Sequence, residues 1–290
     1  MVSLNLSRGR LAGFNPDDLP DNVTELDISF NYIEVIPPWV FQIKTLEKIN
    51  LSENRIQEIP SEIDQLTSLK RLNFSNNQIQ VIPLEIGQLV LLKKLDFSRN
   101  QIQVIPPEIG QLVLLKKLYL SINQIHVIPP EIGQLTSLEL LYLSHNKIQL
   151  IHPKFYQLTQ LESLYLNYNQ IREIPPEIGQ LTSLKKLNIV RNQIQAIPPE
   201  IGQLISLEEL YLANNQIEEI PIEIGKIESL SKCSVLDNKA KNFISLEQMK
   251  HDYHQYEQAT KVNRATAPYV YRDARSVITS YISPHHLKSH

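Results

Sequence analysis

Apolar residues recur along most of this chain at a fixed beat. From Leu115 to Ser137 the template reads Leu-x-x-Leu-x-Leu-x-x-Asn-x-Ile-x-x-Ile-Pro-x-x-Ile-Gly-x-Leu-x-x, and the next unit begins at Leu138. Leu118 and Leu120 flank one residue, the period-2 pattern of a short strand. Ile125, Ile128, Ile132 and Leu135 follow at looser spacing and line a return path. Pro60, Pro83, Pro106, Pro129, Pro175, Pro198 and Pro221 fall within that return. Proline lacks an amide hydrogen, which argues against a sheet interior or a long helix and predicts an irregular or 3₁₀ arc.

One polar position keeps the same beat. Asn31, Asn54, Asn77, Asn100, Asn123, Asn146, Asn169, Asn192, Asn215 and Asn238 are spaced 23 residues apart without a slip. A polar side chain repeated inside an apolar pattern needs hydrogen-bond partners, and a stacked coil supplies them from its own backbone and the adjoining one. Each buried Leu or Ile contributes roughly 1.5–3 kcal/mol before chain entropy is subtracted, so one coil is unstable and the stack is stable. The chain therefore reads as a solenoid.

The pattern resembles the leucine-rich repeat family, in its 23-residue intracellular class with Ras-suppressor-like repeats, from roughly Leu4 to Asn238. The resemblance implies an α/β solenoid, a horseshoe with short parallel strands on the concave face and an irregular or 3₁₀ convex arc. It also implies that variable strand positions form the ligand surface. A degenerate first coil is visible at Leu4-Asn5-Leu6-Ser7, where Gly9 replaces the Asn and the step is one residue short. The expected organisation is about ten repeats of 23 residues within 1–238, and a helical C-terminal cap or tail over 239–290.

Beyond Asn238 the repeat stops. Ser245 with Gln248 forms a capping-box pattern, and Leu246, Met249, Tyr253 and Tyr256 share one helical face. A second helix is expected from Tyr271, aligning Ala274, Ile278 and Tyr281 and ending before Pro284. The tail reads as a cap over the last coil, with a docking segment as the other reading.

Composition narrows the function. With 290 residues, 42% hydrophobic, the chain can bury a long core, and its net charge of −3 gives no global pull toward nucleic acid or membrane. The single cysteine, Cys233, sits at a Leu position of the last strand and is expected to be a small buried apolar residue. With no disulfide within the chain and no apolar run for a signal peptide or spanning helix, a reducing, cytoplasmic setting is expected. Neither metal nor cofactor chemistry is expected. His251 with His254, and His285 with His286, lack the third and fourth converging ligands a metal requires, and the glycines fall one per coil rather than in a phosphate loop. No catalytic residue emerges. Bacterial ubiquitin ligases with such repeats carry a large added domain with a nucleophilic Cys, and the tail here is too short for one.

Function is sought where the repeats disagree. The residue between the paired strand positions runs Asp27, Asn50, Asn73, Asp96, Tyr119, Tyr142, Tyr165, Asn188, Tyr211 and Ser234. Two positions earlier stand Glu25, Lys48, Arg71, Lys94, Lys117, Leu140, Ser163, Lys186, Glu209 and Lys232. The residue before each Asn reads Phe30, Glu53, Asn76, Arg99, Ile122, His145, Tyr168, Arg191, Asn214 and Asp237. The basic run of the second column breaks where the tyrosines of the first begin, and the apolar entries of the third cluster in the same three coils. Strand preference and cross-strand stacking alone account for the Tyr column and leave the coincident switch in the other two unexplained. An aromatic centre with a charged rim has the composition of a protein interface. The expected surface comprises Tyr119, Ile122, Leu140, Tyr142, His145, Tyr165, Tyr168, Arg191 and Tyr211, with Lys94, Arg99 and Lys117 at its basic side. On the convex side of the same region, Ile151-His152-Pro153-Lys154-Phe155-Tyr156 departs from the usual Ile-Pro-Pro-Glu-Ile-Gly, either as a divergent core coil or as a second contact patch.

The leading expectation is a non-enzymatic module, monomeric when free, that holds a folded protein partner in its concave face and regulates or inhibits it. The near-duplicate repeats look like the leucine-rich-repeat effectors that intracellular bacteria deliver into host cells without a classical signal peptide. Leu287 in a polar tail suits a C-terminal translocation signal, although the Glu-rich cluster such tails carry is missing. An endogenous cytosolic signalling scaffold is the alternative. Nucleic-acid binding through the basic column is an alternative of another class, opposed by the net charge and by acidic residues such as Glu53 and Glu62.

Overall fold

A computed structural model of the chain describes residues 2–240 and 245–266, with side chains described through residue 260. The described residues form one sheet of eleven parallel strands whose spatial order follows the sequence. Strands β1 (Val2–Asn5) and β2 (Val23–Asp27) are followed by β3 (Lys48–Asn50), β4 (Arg71–Asn73), β5 (Lys94–Asp96) and β6 (Lys117–Tyr119). Then come β7 (Leu140–Tyr142), β8 (Ser163–Tyr165), β9 (Lys186–Asn188), β10 (Glu209–Tyr211) and β11 (Lys232–Ser234). The chain returns through 3₁₀ turns such as Pro107–Gln111 and Pro130–Gln134, each entered from an extended proline. This is the stacked solenoid that the periodicity predicts, with the parallel strands and 3₁₀ returns that the resemblance implies. Leu115, Leu118, Leu120, Ile125, Ile128, Ile132 and Leu135 of the template coil are all buried, as are most of their equivalents along the array.

The asparagines join coils as the buried-polar argument requires. The Asn123 side-chain amide donates to the carbonyls of Phe97 in the preceding coil (2.9 Å) and Leu120 in its own (3.1 Å). Its Oδ1 accepts the N–H of Ile102 at 3.0 Å, again from the preceding coil. Asn54 through Asn238 repeat this set of partners, so each coil's turn is satisfied partly by the next coil's side chain. At the degenerate start, Asn31 still accepts the Leu11 N–H at 3.2 Å and donates to Leu6 O at 2.9 Å. Gly9, in place of an Asn there, takes a left-handed φ of 81°.

The convex arcs stack as closely as the strands. A Cβ on Gly110 would lie 2.7 Å from the Glu131 carbonyl oxygen of the next arc, so this position excludes a side chain in a regular coil. At the far end, helix α1 (Leu246–Thr266) packs on the last arc, Ile222–Lys226, where a Gly225 Cβ would meet Met249 O at 2.3 Å. Met249 is buried, Leu246 packs on the core, and Tyr253 and Tyr256 are half-buried. The Lys250 ammonium donates to Glu228 O (2.9 Å) and Leu230 O (3.0 Å), carbonyls with no further coil to pair them. The helix start is capped on one side only. Ser245 Oγ accepts Gln248 N–H at 3.1 Å, while the Gln248 amide turns to Asp252 at 2.7 Å instead of returning to the cap.

Cys233 differs from expectation. It is half-buried rather than buried, because β11 has no strand beyond it, and the burial it retains pushes its thiol up to about 11. The second helix expected from Tyr271, the pair His285 and His286, and Leu287 lie outside the described residues. No helix among the described residues is long and apolar enough to cross a membrane.

Replacing Asn123 by Ala strands the buried Ile102 N–H and leaves the Phe97 and Leu120 carbonyls one donor each, from Asn100 and Asn146, and an orphaned buried donor costs about 1–3 kcal/mol. We expect Asn123→Ala to lower stability by at least about 1 kcal/mol in thermal unfolding. Asn123→Asp keeps the acceptor and loses both donors, so it falls below wild type as well; an unchanged midpoint for either variant refutes the ladder's structural role.

Candidate functional site

Residues between the inward-pointing Leu positions of successive strands stand on the concave face and meet their neighbours in register. Tyr119 pairs with Tyr142 across β6 and β7, and Tyr142 with Tyr165 across β7 and β8. Their rings stack, with centroids 5.2 Å apart for the first pair and 4.3 Å for the second. Lys94 from β5 places its ammonium 5.0 Å from the Tyr119 ring centre and closes that end of the stack. Burial pushes the phenols of Tyr119 and Tyr142 up.

A second stack runs beside the first. The His145 and Tyr168 rings lie 4.1 Å apart, and the Arg191 guanidinium sits 5.2 Å from the Tyr168 ring centre. The stacks thus end in cations on opposite sides of the patch, Lys94 at β5 and Arg191 just after β9. Leu140, half-buried, lies in register with Lys117 and Ser163, and Ile122 stands exposed at the head of the second column. Tyr211 does not join them. Asn188 separates it from Tyr165, and its hydroxyl donates to Glu209 at 3.1 Å.

The residue before each ladder Asn has a property not evident from its identity. All ten, from Phe30 to Asp237, have φ between 54° and 59°, in the left-handed region. Turning the next Asn inward fixes this conformation, which L-residues adopt at a cost and β-branched ones adopt least readily. Ile122, at φ 59°, carries that strain while its side chain points to solvent rather than into the core. His145, Tyr168, Arg99 and Arg191 are projected from the same strained position.

Charges are partitioned by face. In the basic column Lys48 pairs with Glu25, while Lys186 (3.4 Å) and Lys232 (2.9 Å) both reach Glu209, whose carboxyl is held below its usual range, first by the Lys232 hydrogen bond. Arg71, Lys94, Lys117 and Arg99 make no ion pair among the described residues. The acidic dilution expected of Glu62 does not reach this face, because Glu62 lies in the 3₁₀ turn Ser61–Gln65 on the convex side. Glu85, Glu108, Glu131, Glu177 and Glu200 occupy equivalent convex turns. Two exposed aromatics at the N-terminal rim, Phe30 and Tyr32, also carry cations, from Arg8 at 5.9 Å and Arg55 at 5.1 Å. Sequence columns miss them because each partner comes from a neighbouring coil.

The convex departure is mainly a repacked core. Phe155 and Tyr156 are fully buried with rings edge to face at 5.4 Å, leaving His152, Pro153 and Lys154 exposed. Tyr156 stands where six other coils carry Gly, so a full ring enters the core where those arcs have no side chain. Its hydroxyl is buried without a hydrogen-bond partner, and burial drives its pKa strongly upward. The His251 ring contacts Gln255 at 2.8 Å and His254 reaches Glu228 at 3.2 Å; among the described residues no His, Cys, Asp or Glu cluster converges for a metal.

Comparison with known proteins agrees with this architecture. Models of the leucine rich repeat match residues 21–79, 68–125 and 113–171, and a leucine-rich repeat region model matches 143–251. Among solved structures the chain is similar to a leucine-rich repeat protein of Leptospira interrogans at 32% identity and TM-score 0.60, over 75% of this chain and 67% of that one. It is similar to an internalin of Listeria monocytogenes at 25% identity and TM-score 0.67, over 75% and 62%. The ectodomain of the Arabidopsis thaliana receptor kinase GASSHO1/SCHENGEN3, solved with Casparian strip integrity factor 2, shares 30% identity at TM-score 0.67 over 74% of this chain and 26% of its own. The chain thus spans from about a quarter to two-thirds of these proteins' lengths. No curated protein matches it.

Two measurements test these local readings. Tyr156→Phe removes a partnerless buried hydroxyl and keeps the ring, so stability rises by about 1 kcal/mol; a loss of that size places a hydrogen bond there instead. Asn tolerates the left-handed region, so Ile122→Asn raises stability by about 1 kcal/mol. A drop for Ile122→Asn shows that the isoleucine is held there by packing.

Proposed function

Because this chain belongs to the leucine-rich repeat family, whose domains are protein-interaction modules, we propose that it is a non-enzymatic binding protein. Its concave face holds a folded protein partner, and the two aromatic stacks form the hot spot. One observation carries the reading. Three independent columns change character in the same coils, and the side chains they place there meet as two stacks closed by Lys94 and Arg191. Stacked, partly buried Tyr rings lose little rotamer freedom on binding, and offer apolar area together with hydroxyls. Ile122 supports the same reading, since an exposed β-branched residue held against its backbone preference is the kind of strain found at functional sites.

The role we propose is that of a regulator or inhibitor acting in a reducing, cytosolic setting, the free chain being a monomer. A bacterial effector working inside a host cell fits the similarity to leucine-rich repeat proteins of Leptospira and Listeria. A solenoid with a single cysteine needs no oxidising compartment to fold.

Affinity capture from cell extract with wild type and Tyr142→Ala/Tyr165→Ala tests this. Each hot-spot Tyr truncation costs about 2 kcal/mol or more, so the double variant should lose its specific protein while keeping its unfolding midpoint within about 1 kcal/mol. A folded double variant that retains every captured protein refutes the concave site.

A further inference from the structure

We propose that the partner's contact element is an acidic helix, laid along the concavity so that about one carboxylate meets each of Arg71, Lys94 and Lys117. This rests on the concave binding reading above and specifies its chemistry. Elsewhere in their column the cations are neutralised from within, Lys48 by Glu25, and Lys186 and Lys232 by Glu209. These three have no carboxylate partner among the described residues, although they stand side by side in register across β4, β5 and β6. Within the three concave columns from Arg71 to Arg191, Asp96 is the single carboxylate. The face is therefore a basic island on a chain of net charge −3: one set of glutamates lies in the convex turns, and Glu47, Glu139 and Glu162 beside the strands are already paired with Lys70, Lys116 and Lys185.

Spacing selects the form of the partner. Parallel strands lie about 4.8 Å apart, so the cation row repeats at that interval. Acidic residues three and then four apart share one helix face and rise about 4.5 and 10.5 Å, close to the roughly 4.8 and 9.6 Å of the three-cation row. Same-side residues of an extended peptide rise about 6.7 Å and fall out of phase at once. The helix's apolar side would then cover the neighbouring tyrosine edges and Leu140.

Two other occupants fit less well. A nucleic-acid strand binds such a groove by stacking bases on aromatic faces. Here Tyr142 is stacked on both faces by its neighbours, and Lys94 covers Tyr119, so edges and hydroxyls face the groove. The chain's own residues 267–290 carry Arg272, Arg275 and Lys288 against one acid, Asp273, the wrong charge for this row.

The test is selection of a randomised displayed peptide library on the immobilised full chain, repeated with Arg71→Glu/Lys117→Glu, the milder Arg71→Gln/Lys117→Gln, and Tyr142→Ala/Tyr165→Ala. Wild type should enrich peptides with Asp or Glu three to four residues apart, and charge reversal should weaken them by at least about tenfold, less so at high salt. The Gln variant should fall between. Neutral or basic peptides that bind the charge-reversed variant as well as wild type overturn the acidic helix; if the Tyr variant loses them, the concave reading stands. Peptides indifferent to both kinds of variant overturn both. Equal competition by oligothymidylate assigns the row to nucleic acid, and concentration-dependent self-association abolished by Arg71→Glu/Lys117→Glu assigns it to a second copy's acidic face; either result overturns the proposal.

Discussion

Every coil in this protein depends on a hydrogen bond it cannot make alone. The turn after each strand leaves an N–H and carbonyls facing the interior, and the Asn of the following coil supplies their partner, as Asn123 does for Ile102 and Phe97. An amide is the smallest side chain that donates twice and accepts at one position. The dependence runs one way, each coil leaning on its successor, so the ends need separate solutions. At the start, Leu6 and Leu11 are served by Asn31 although Gly9 stands at the ladder position of their own coil. At the finish, Lys250 of α1 donates to the Glu228 and Leu230 carbonyls ahead of β11, covering a different part of the last coil from the ladder turn.

The same constraint shapes the binding face. Turning the Asn inward fixes a left-handed residue immediately before it, whatever that residue is. Because the ladder imposes the conformation, the position is free to vary in chemistry, and Phe, Arg, Ile, His and Tyr all occupy it. A position held rigidly by the backbone yet unconstrained in side chain suits recognition, since little is left to order on binding. The strain is met by the buried hydrogen bonds behind it, which links stability of the scaffold to presentation of Ile122, His145 and Tyr168.

Periodicity made the scaffold legible because packing repeats: Leu118, Ile125 and Ile132 face inward for the same reason in each coil. The columns also located the tyrosine stripe, since register in a parallel array with constant repeat length follows from counting. Counting did not supply direction or pairing. Tyr211 belongs to the Tyr column yet stands apart, because Asn188 intervenes and Glu209 takes its hydroxyl. Glu62 counts against the basic column in a linear reading and lies on the opposite face of the solenoid. Cys233 follows the Leu pattern but sits on the final strand, where burial is incomplete. Tyr156 reads as a substitution for Gly, and only the packed arcs show that its ring is inside with a partnerless hydroxyl.

Net charge is a poor guide to a solenoid, because its two faces come from different positions of one repeat. A repeat with Lys or Arg in the strand and Glu in the turn is nearly neutral in sum, yet stacking sorts the two signs onto opposite surfaces. Carboxylates that could neutralise the strand cations lie across the core, and exposed charges farther apart than about 8 Å are largely screened at physiological salt. Repetition thus turns a balanced unit into a polarised molecule. Where a coil places Glu within the strand itself, as at Glu25 and Glu209, its neighbours pair with it and the field is cancelled locally. Arg71, Lys94 and Lys117 lie in the stretch between those acids and beside the aromatic stacks, so the apolar centre and the uncancelled field occupy adjoining coils of one face.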